Sequence, residues 1–182
     1  LIPDLVGEYR GELAREILRL IDKLNNKIDK NGNDCYYAAV KDLSKTPVSK
    51  IKRQLDSFGD NIYIVAHGGL RVNGKQWTSR RYVWNNSDSV VEGLAIDGPY
   101  GKLTPLSSFG NNLNRENIFG CYISAHVRQV SVSWWKNSPY AGQVYSKRDT
   151  YEAMYSALYE RLLKYDQRDE CTCKEAILVY EG

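Results

Sequence analysis

The sequence predicts an α/β domain with a mostly parallel central sheet, helices on both faces and a β-hairpin flap. Continuous apolar runs at Ile62–Ala66, Ile118–Ile123 and Ala176–Tyr180 are typical of strands that are buried on both sides, as parallel strands are. Segments with helical periodicity alternate with these runs. Such alternation of strand and helix favours a parallel sheet covered on both faces.

Four segments carry helix signals. Residues 11–29 repeat apolar side chains at helical spacing, namely Leu13, Ile17, Leu20, Ile21, Leu24 and Ile28. Thr46 and Pro47 predict the start of a second helix with Val48, Ile51, Leu55 and Phe58 on its buried face. Thr104 and Pro105 repeat that signal and predict a short helix to about Leu113, with Leu106, Phe109 and Leu113 inward. Residues 149–165 predict the longest late helix.

The whole chain, 1–182, is predicted to be one domain. It has an N-terminal helical segment at 1–30 and a hairpin or flap insertion at 70–103, where Arg81–Trp84 and Val90–Ile96 are expected to be antiparallel strands. The run Cys35–Val40 is compatible with either strand or helix. The net charge of +3 comes from interspersed basic and acidic residues, which does not favour a nucleic-acid partner. No apolar run approaches the roughly 18 residues that span a membrane.

Two of the predicted strands end in a reactive side chain. His67 follows Ile62–Ala66, and Cys121 lies within Ile118–Ile123, 54 residues later. If the strands are parallel neighbours, both side chains emerge at the carboxyl edge of the sheet, where ligands bind in open α/β folds. A thiolate with an imidazole acid/base is sufficient for acyl transfer. Gly68, Gly69 and Gly120 let the backbone approach a substrate, and N–H groups near Gly68 and Cys121 are candidate oxyanion donors.

The motifs at 62–68 and 117–121 resemble those of the caspase-like cysteine peptidases (clan CD), a group that includes caspases, legumains, gingipains and the self-processing protease domain of large bacterial toxins. The caspase signature likewise places its His about 50 residues before its Cys. Gly120, which precedes Cys121, resembles the toxin domains at this position, whereas caspases have Ala there. The resemblance implies a three-layer caspase-like sandwich and a cysteine endopeptidase with a Cys121 thioester acyl-enzyme and His67 as general acid/base. It also suggests self-processing.

The resemblance also implies a substrate groove. Ser133, Trp134 and Trp135 are similar to the caspase segment that pairs with the substrate backbone, and His126 is assigned to the same groove. Because caspases hold an Arg where this chain has Trp135, specificity for Asp is not expected. Some toxin-type relatives are activated by an inositol polyphosphate, and the corresponding basic candidates are Lys75, Arg80, Arg81 and Lys102. No other cofactor is required. The expected partner is a protein or peptide substrate, and the resemblance suggests a secreted bacterial effector acting in a reducing cytosol.

Alternatives remain open at this point. Cys35 with His67 would give the Cys-before-His order of papain-like peptidases and amidases, and a non-catalytic binding module of the same fold needs neither residue. The spacing of Cys35, Cys121, Cys171 and Cys173 matches no metal site. Free thiols are the first expectation, with a disulfide from Cys35 to Cys171 or Cys173 as the alternative.

Overall fold

The structure is a computed structural model that describes residues 12–72, 74–76, 89–96, 102–120, 130–131, 147–171 and 174–182. Within these residues the order of elements is α1 (Glu12–Asn25), β1 (Tyr36–Asp42), α2 (Val48–Phe58), β2 (Ile62–Val65), β3 (His67–Val72), β4 (Lys75–Gln76), β5 (Ser89–Ala95), β6 (Leu103–Pro105), β7 (Ile118–Phe119), β8 (Val130–Ser131), α3 (Lys147–Asp166) and β9 (Glu175–Glu181). Four 3₁₀ turns connect them: Leu43–Lys45, Gly59–Asn61, Leu106–Phe109 and Arg115–Asn117.

The central sheet has the strand order β1-β9-β2-β7, and its neighbouring strands are all parallel. The last strand in the sequence, β9, therefore lies between β1 and β2. The apolar runs predicted as β2 and β9 are confirmed. The third is confirmed at Ile118–Phe119, while the rest of its predicted run from Cys121 lies outside the described residues. The ambiguous run after Cys35 is a strand.

Alternating side chains of these strands enter two separate hydrophobic clusters, as a pleated strand requires. Tyr63, Val65, Ile177 and Val179 pack with α1 and α3. Ile62, Ile64, Leu178 and Tyr180 face the opposite way and pack with α2. The prediction of helices on both faces of a parallel sheet is thus confirmed.

A second sheet is antiparallel, with the order β4-β3-β5-β6 and with β8 also paired to β5. The expected antiparallel strand at Val90–Ile96 is confirmed, whereas Arg81–Trp84 lies outside the described residues. The sheet begins at His67, three residues earlier than the predicted insertion. Leu94 and Ile96 share a core cluster with Ile51 and Leu55 of α2, which joins this sheet to the central one.

The first two helices differ from their predictions at their ends. Helix α1 stops at Asn25 because the Asn25 side chain bonds the backbone of Ala38 on β1, and Ile28 beyond it is 60% exposed. Helix α2 begins after Pro47 as expected. Thr46 is not its cap, since the Thr46 hydroxyl donates to the Asp42 carbonyl (2.8 Å). Phe58, predicted inward, is 43% exposed.

The predicted helix after Thr104–Pro105 is wrong. Both residues belong to β6, where they pair with Leu94 and Gly93 of β5. A single 3₁₀ turn follows and ends at Gly110, whose φ of +85° is in the left-handed region that favours glycine. Of the three positions expected inward, Leu106 and Phe109 are buried, and Leu113 is half-buried against the same core cluster.

The expectation of four free thiols is corrected for one pair. Cys35, just before β1, is disulfide-bonded to Cys171, which lies between α3 and β9. The bond spans 136 positions of the sequence and joins two segments at the amino edge of the central sheet. Separately, none of the described helices combines the length and apolarity needed to cross a bilayer.

Candidate functional site

The strands that precede His67 and Cys121 are parallel neighbours. Ile64 of β2 pairs with Ile118 of β7, and Val65 pairs with Phe119. The Ala66 N–H then donates to the Phe119 carbonyl (3.1 Å), which extends the pairing to the end of both strands. Strands β2 and β7 therefore end side by side at the carboxyl edge of the sheet, which is where an open α/β sheet binds its ligand.

His67 lies at the junction of the two sheets. It is the first residue of β3 and pairs with Ala95 of β5, and a single residue, Ala66, separates it from β2. Ala66 is fully buried, while His67 is half-buried. The His67 backbone is therefore held on both sides. Strand β2 in the core precedes it, and its own strand β3 pairs with β5.

Cys121 lies outside the described residues, as does His126. Gly120, the residue before Cys121, is described, half-buried and joined directly to the end of β7. In the sequence, His67 comes two residues after Val65, and Cys121 comes two residues after its pairing partner Phe119. The structure thus brings together the strand ends that lead to these two residues.

The two glycines after His67 have different surroundings. Gly68 pairs with Leu94 in the β3–β5 ladder and is half-buried. Gly69 is buried, and a Cβ there would meet the Leu103 side chain at 3.0 Å. Close packing against Leu103 is therefore one reason for a glycine at this position, and the role of Gly69 in an oxyanion site stays a prediction.

The alternative pair of Cys35 with His67 is not formed. Tyr36 pairs with Glu175 at the amino end of β9, whereas Val65 pairs with Glu181 at its carboxyl end. Cys35 and His67 are consequently at opposite edges of the sheet, about 25 Å apart at roughly 3.3 Å per residue. Cys35 is also bonded to Cys171, so it carries no thiol in this structure.

Of the four basic residues expected to bind an anionic activator, the structure describes the backbones of Lys75 and Lys102. Arg80 and Arg81 lie outside the described residues. Lys75 is on β4, opposite Val72, and Lys102 precedes β6 near the other end of the sheet. Since β3 and β5 lie between them, their backbones are about 20 Å apart. The inositol polyphosphate site stays a prediction.

The expected groove residues Ser133, Trp134 and Trp135 also lie outside the described residues. The strand just before them, β8, is described and pairs antiparallel with the first two residues of β5. Because β5 also pairs with β3, the chain after Gly120 returns to the same sheet that contains His67.

The sequence analysis did not identify a buried carboxylate at the carboxyl edge of the central sheet, that of Glu181. Glu181 is 1% exposed, pairs with Val65 and accepts a hydrogen bond from the Tyr155 hydroxyl (3.0 Å). Asp42 pairs with Glu181 from the other side. Hydrogen bonds from Ser44 hold the pKa of the Asp42 carboxyl below its usual value. The available signal was an acidic residue ending the apolar run 176–180.

Across the described ranges, no group of three or more His, Cys, Asp or Glu side chains is arranged to hold a metal ion. Comparisons with protein families, curated proteins and solved structures found no match to this chain.

Proposed function

We propose that this chain is a cysteine endopeptidase of caspase-like fold, with Cys121 as nucleophile and His67 as general acid/base. The observation that supports the proposal is the register of β2 and β7, in which Val65 pairs with Phe119. His67 and Cys121 each follow this pair by two residues in the sequence, and we infer that their side chains meet at the carboxyl edge of the sheet. A Cys–His pair there has the composition that acyl transfer requires.

The reaction would begin with attack of the Cys121 thiolate on the carbonyl carbon of the scissile peptide bond. The C–N bond breaks as the imidazolium of His67 protonates the leaving amine, which leaves a thioester. His67 then accepts a proton from water as the hydroxide oxygen attacks the thioester carbonyl. The C–S bond breaks, the carboxylic acid leaves and the thiolate is restored.

Backbone N–H groups of Gly68 and Cys121 are the proposed oxyanion donors. Gly68 supports this role because it is half-buried at the junction of the two sheets, unlike the buried Gly69. Such donors act on the negative charge that develops on the carbonyl oxygen in the transition state. Residues 133–135 with His126 would line the groove for a protein or peptide substrate.

The nearest family resemblance, to the self-processing domains of bacterial toxins, extends the proposal to self-cleavage and to action as a secreted effector in a reducing cytosol. No cofactor takes part in the chemistry. The fold is consistent with this proposal at the level of a parallel sheet between helices, with an antiparallel sheet formed mostly by the segment between β2 and β7.

Limited alkylation at neutral pH, with peptide mapping, tests the pair. Without a reductant the Cys35–Cys171 bond leaves Cys121 and Cys173 to compete for the reagent. We expect Cys121 to react about tenfold faster or more than an ordinary thiol, and His67→Ala to remove that advantage. His126→Ala is the matched control, because the chain has two His residues, and it should keep the advantage.

A substrate screen with Cys121→Ala as the inactive control then separates peptidase from binding module. If Cys121 and Cys173 react at the same rate in the wild type, the Cys–His pair is refuted. The chain would then be a non-catalytic binding module on the same scaffold, since such a module needs no activated thiol.

A further inference from the structure

A cavity of about 480 Å³ lies at the amino edge of the central sheet, far from His67. Both cysteines of the disulfide line it. The remaining walls come from the segment after α1 and the segment after α3, chiefly Lys27, Ile28, Lys30, Asp169 and Glu170. A volume of this size is in the range of small-molecule sites.

The two sulfur-bearing residues differ in their access to this cavity. Cys35 is 1% exposed, and its backbone is held on both sides: its N–H donates to the Lys27 carbonyl (2.9 Å), and its carbonyl accepts from the Glu175 N–H (3.0 Å). Cys171 is only half-buried. A thiol that enters from solvent therefore reaches Cys171 before Cys35.

We propose that the cavity is a thiol–disulfide exchange site, in which a small thiol of the glutathione class attacks the Sγ of Cys171. A bond forms between the incoming sulfur and Cys171 as the Cys35–Cys171 bond breaks, and Cys35 leaves as a thiolate that takes a proton from water. A second molecule of the thiol then attacks the mixed disulfide, which leaves Cys171 as a thiol and the two small thiols joined to each other.

The lining favours a zwitterionic thiol. Lys30 contributes a cation, while Asp169 and Glu170 contribute anions, and all three side chains are on the exposed surface around the bond. Glutathione carries two carboxylates and one ammonium group, so it has partners of both signs here. The apolar wall from Ile28, which is largely exposed, suits its carbon chain.

The exchange would change stability and leave the proposed catalytic edge untouched. The disulfide joins the start of β1 to the start of β9, and its opening frees a covalent loop of more than a hundred residues. Cross-links across such long loops stabilise the folded state strongly. His67 is about 25 Å away at the opposite edge. The inference is therefore independent of the proposed peptidase activity.

The test is to incubate the oxidised full chain with reduced glutathione at pH 8, quench with acid, alkylate and map the peptides. We expect the glutathione adduct on Cys171 and the alkylating reagent on Cys35. Cys173→Ser is the matched control and should leave the Cys171 adduct unchanged. Reduction should also lower Tm by about 5 °C or more.

Three results would overturn the inference. The first is an adduct on Cys35 in place of Cys171. The second is a disulfide that resists glutathione until the protein is denatured. The third is untreated protein in which Cys35 and Cys171 are both alkylated as free thiols. None of these outcomes bears on Cys121, so failure here is distinguishable from failure of the proposed function.

Discussion

Val65 and Phe119 are register partners in adjacent parallel strands, although they are 54 residues apart in the sequence. It is the last pair of the two strands, and it comes two residues before His67 after β2 and two residues before Cys121 after β7. Parallel strands present their carboxyl ends at one edge, so the ends of β2 and β7 lie side by side there. The proposed chemistry depends on this pairing and on what maintains it.

Asn117 maintains the start of β7 and should affect the reactivity of Cys121. It is 2% exposed, donates to the Asp60 carbonyl (2.7 Å) and accepts from Arg161 of α3 (3.2 Å). We expect Asn117→Ala to lower the free energy of unfolding by about 1–3 kcal/mol, because it removes two part-buried hydrogen bonds made by a buried side chain. Urea denaturation measures this change.

The same Asn117→Ala variant should also slow alkylation of Cys121. Asn112→Ala is the control, because Asn112 is exposed and bonds only to exposed Asp56 among the contacts described. Equal alkylation rates in the two variants would contradict a positioning role for Asn117.

Asn25 should protect the edge strand β1 from pairing with other chains. Its side-chain amide donates to the Ala38 carbonyl and accepts from the Ala38 N–H, both at 2.7 Å, as a neighbouring strand would. We expect Asn25→Ala to cost about 1–2 kcal/mol of unfolding free energy and to raise aggregation, because an exposed strand edge is a template for pairing. Asn26→Ala, next to it on an exposed site, should change neither quantity in denaturation and light-scattering measurements.

Tyr165 should set the resistance of the fold to alkaline pH. Its hydroxyl donates to Asn61 (2.8 Å) and lies 2.6 Å from the Tyr63 hydroxyl, and burial raises the pKa of both phenols. Because the folded-state pKa is above the unfolded value of about 10, their contribution to stability is complete below pH 10 and is lost as the pH rises beyond it.

Tyr165→Phe should therefore cost about 1–2 kcal/mol at pH 7 and make the alkaline loss of stability shallower. The measurement is chemical denaturation at several pH values from 7 to 11. Tyr37→Phe, at an exposed position on β1, is the control and should reproduce the wild-type profile. An unchanged slope in Tyr165→Phe would show that other groups govern alkaline unfolding.

Asp42 should contribute to stability on the acid side. Its carboxylate accepts from the Ser44 N–H (2.9 Å) and hydroxyl (2.6 Å), which lowers its pKa. A folded pKa below the unfolded value gives stability that is present above about pH 4 and is lost as the pH falls through the folded pKa. We expect Asp42→Ala to cost about 1 kcal/mol at pH 7 and less at pH 2.5.

Asp34→Ala is the comparison for this prediction, since Asp34 is exposed and 3.9 Å from the exposed Lys174. Surface pairs of this kind contribute little, so its effect should stay within about 0.5 kcal/mol at either pH. Equal losses for Asp42→Ala at both pH values would mean that its charge is not what stabilises the folded state.

Some features of this protein follow from local pattern alone. Continuous apolar runs predicted the strands that hold Ile64, Ile118 and Ile177, because a strand buried on both faces needs apolar side chains at every position. Helical spacing predicted the buried face of α1. The helix at Thr104 failed because its cap signal competes with long-range pairing to Gly93, which a local pattern does not contain.

Tertiary structure decided the rest. The sequence by itself determined the apolar strands β2, β7 and β9 of the central sheet, and it shows that His67 and Cys121 follow the first two of them. Only the fold decided that β9 lies between β1 and β2, that Cys35 bonds Cys171 at the edge opposite His67, and that Glu181 is buried beside Val65. The reason is physical: periodicity reports how one segment is buried, whereas strand order and disulfide pairing depend on contacts between residues a hundred or more positions apart.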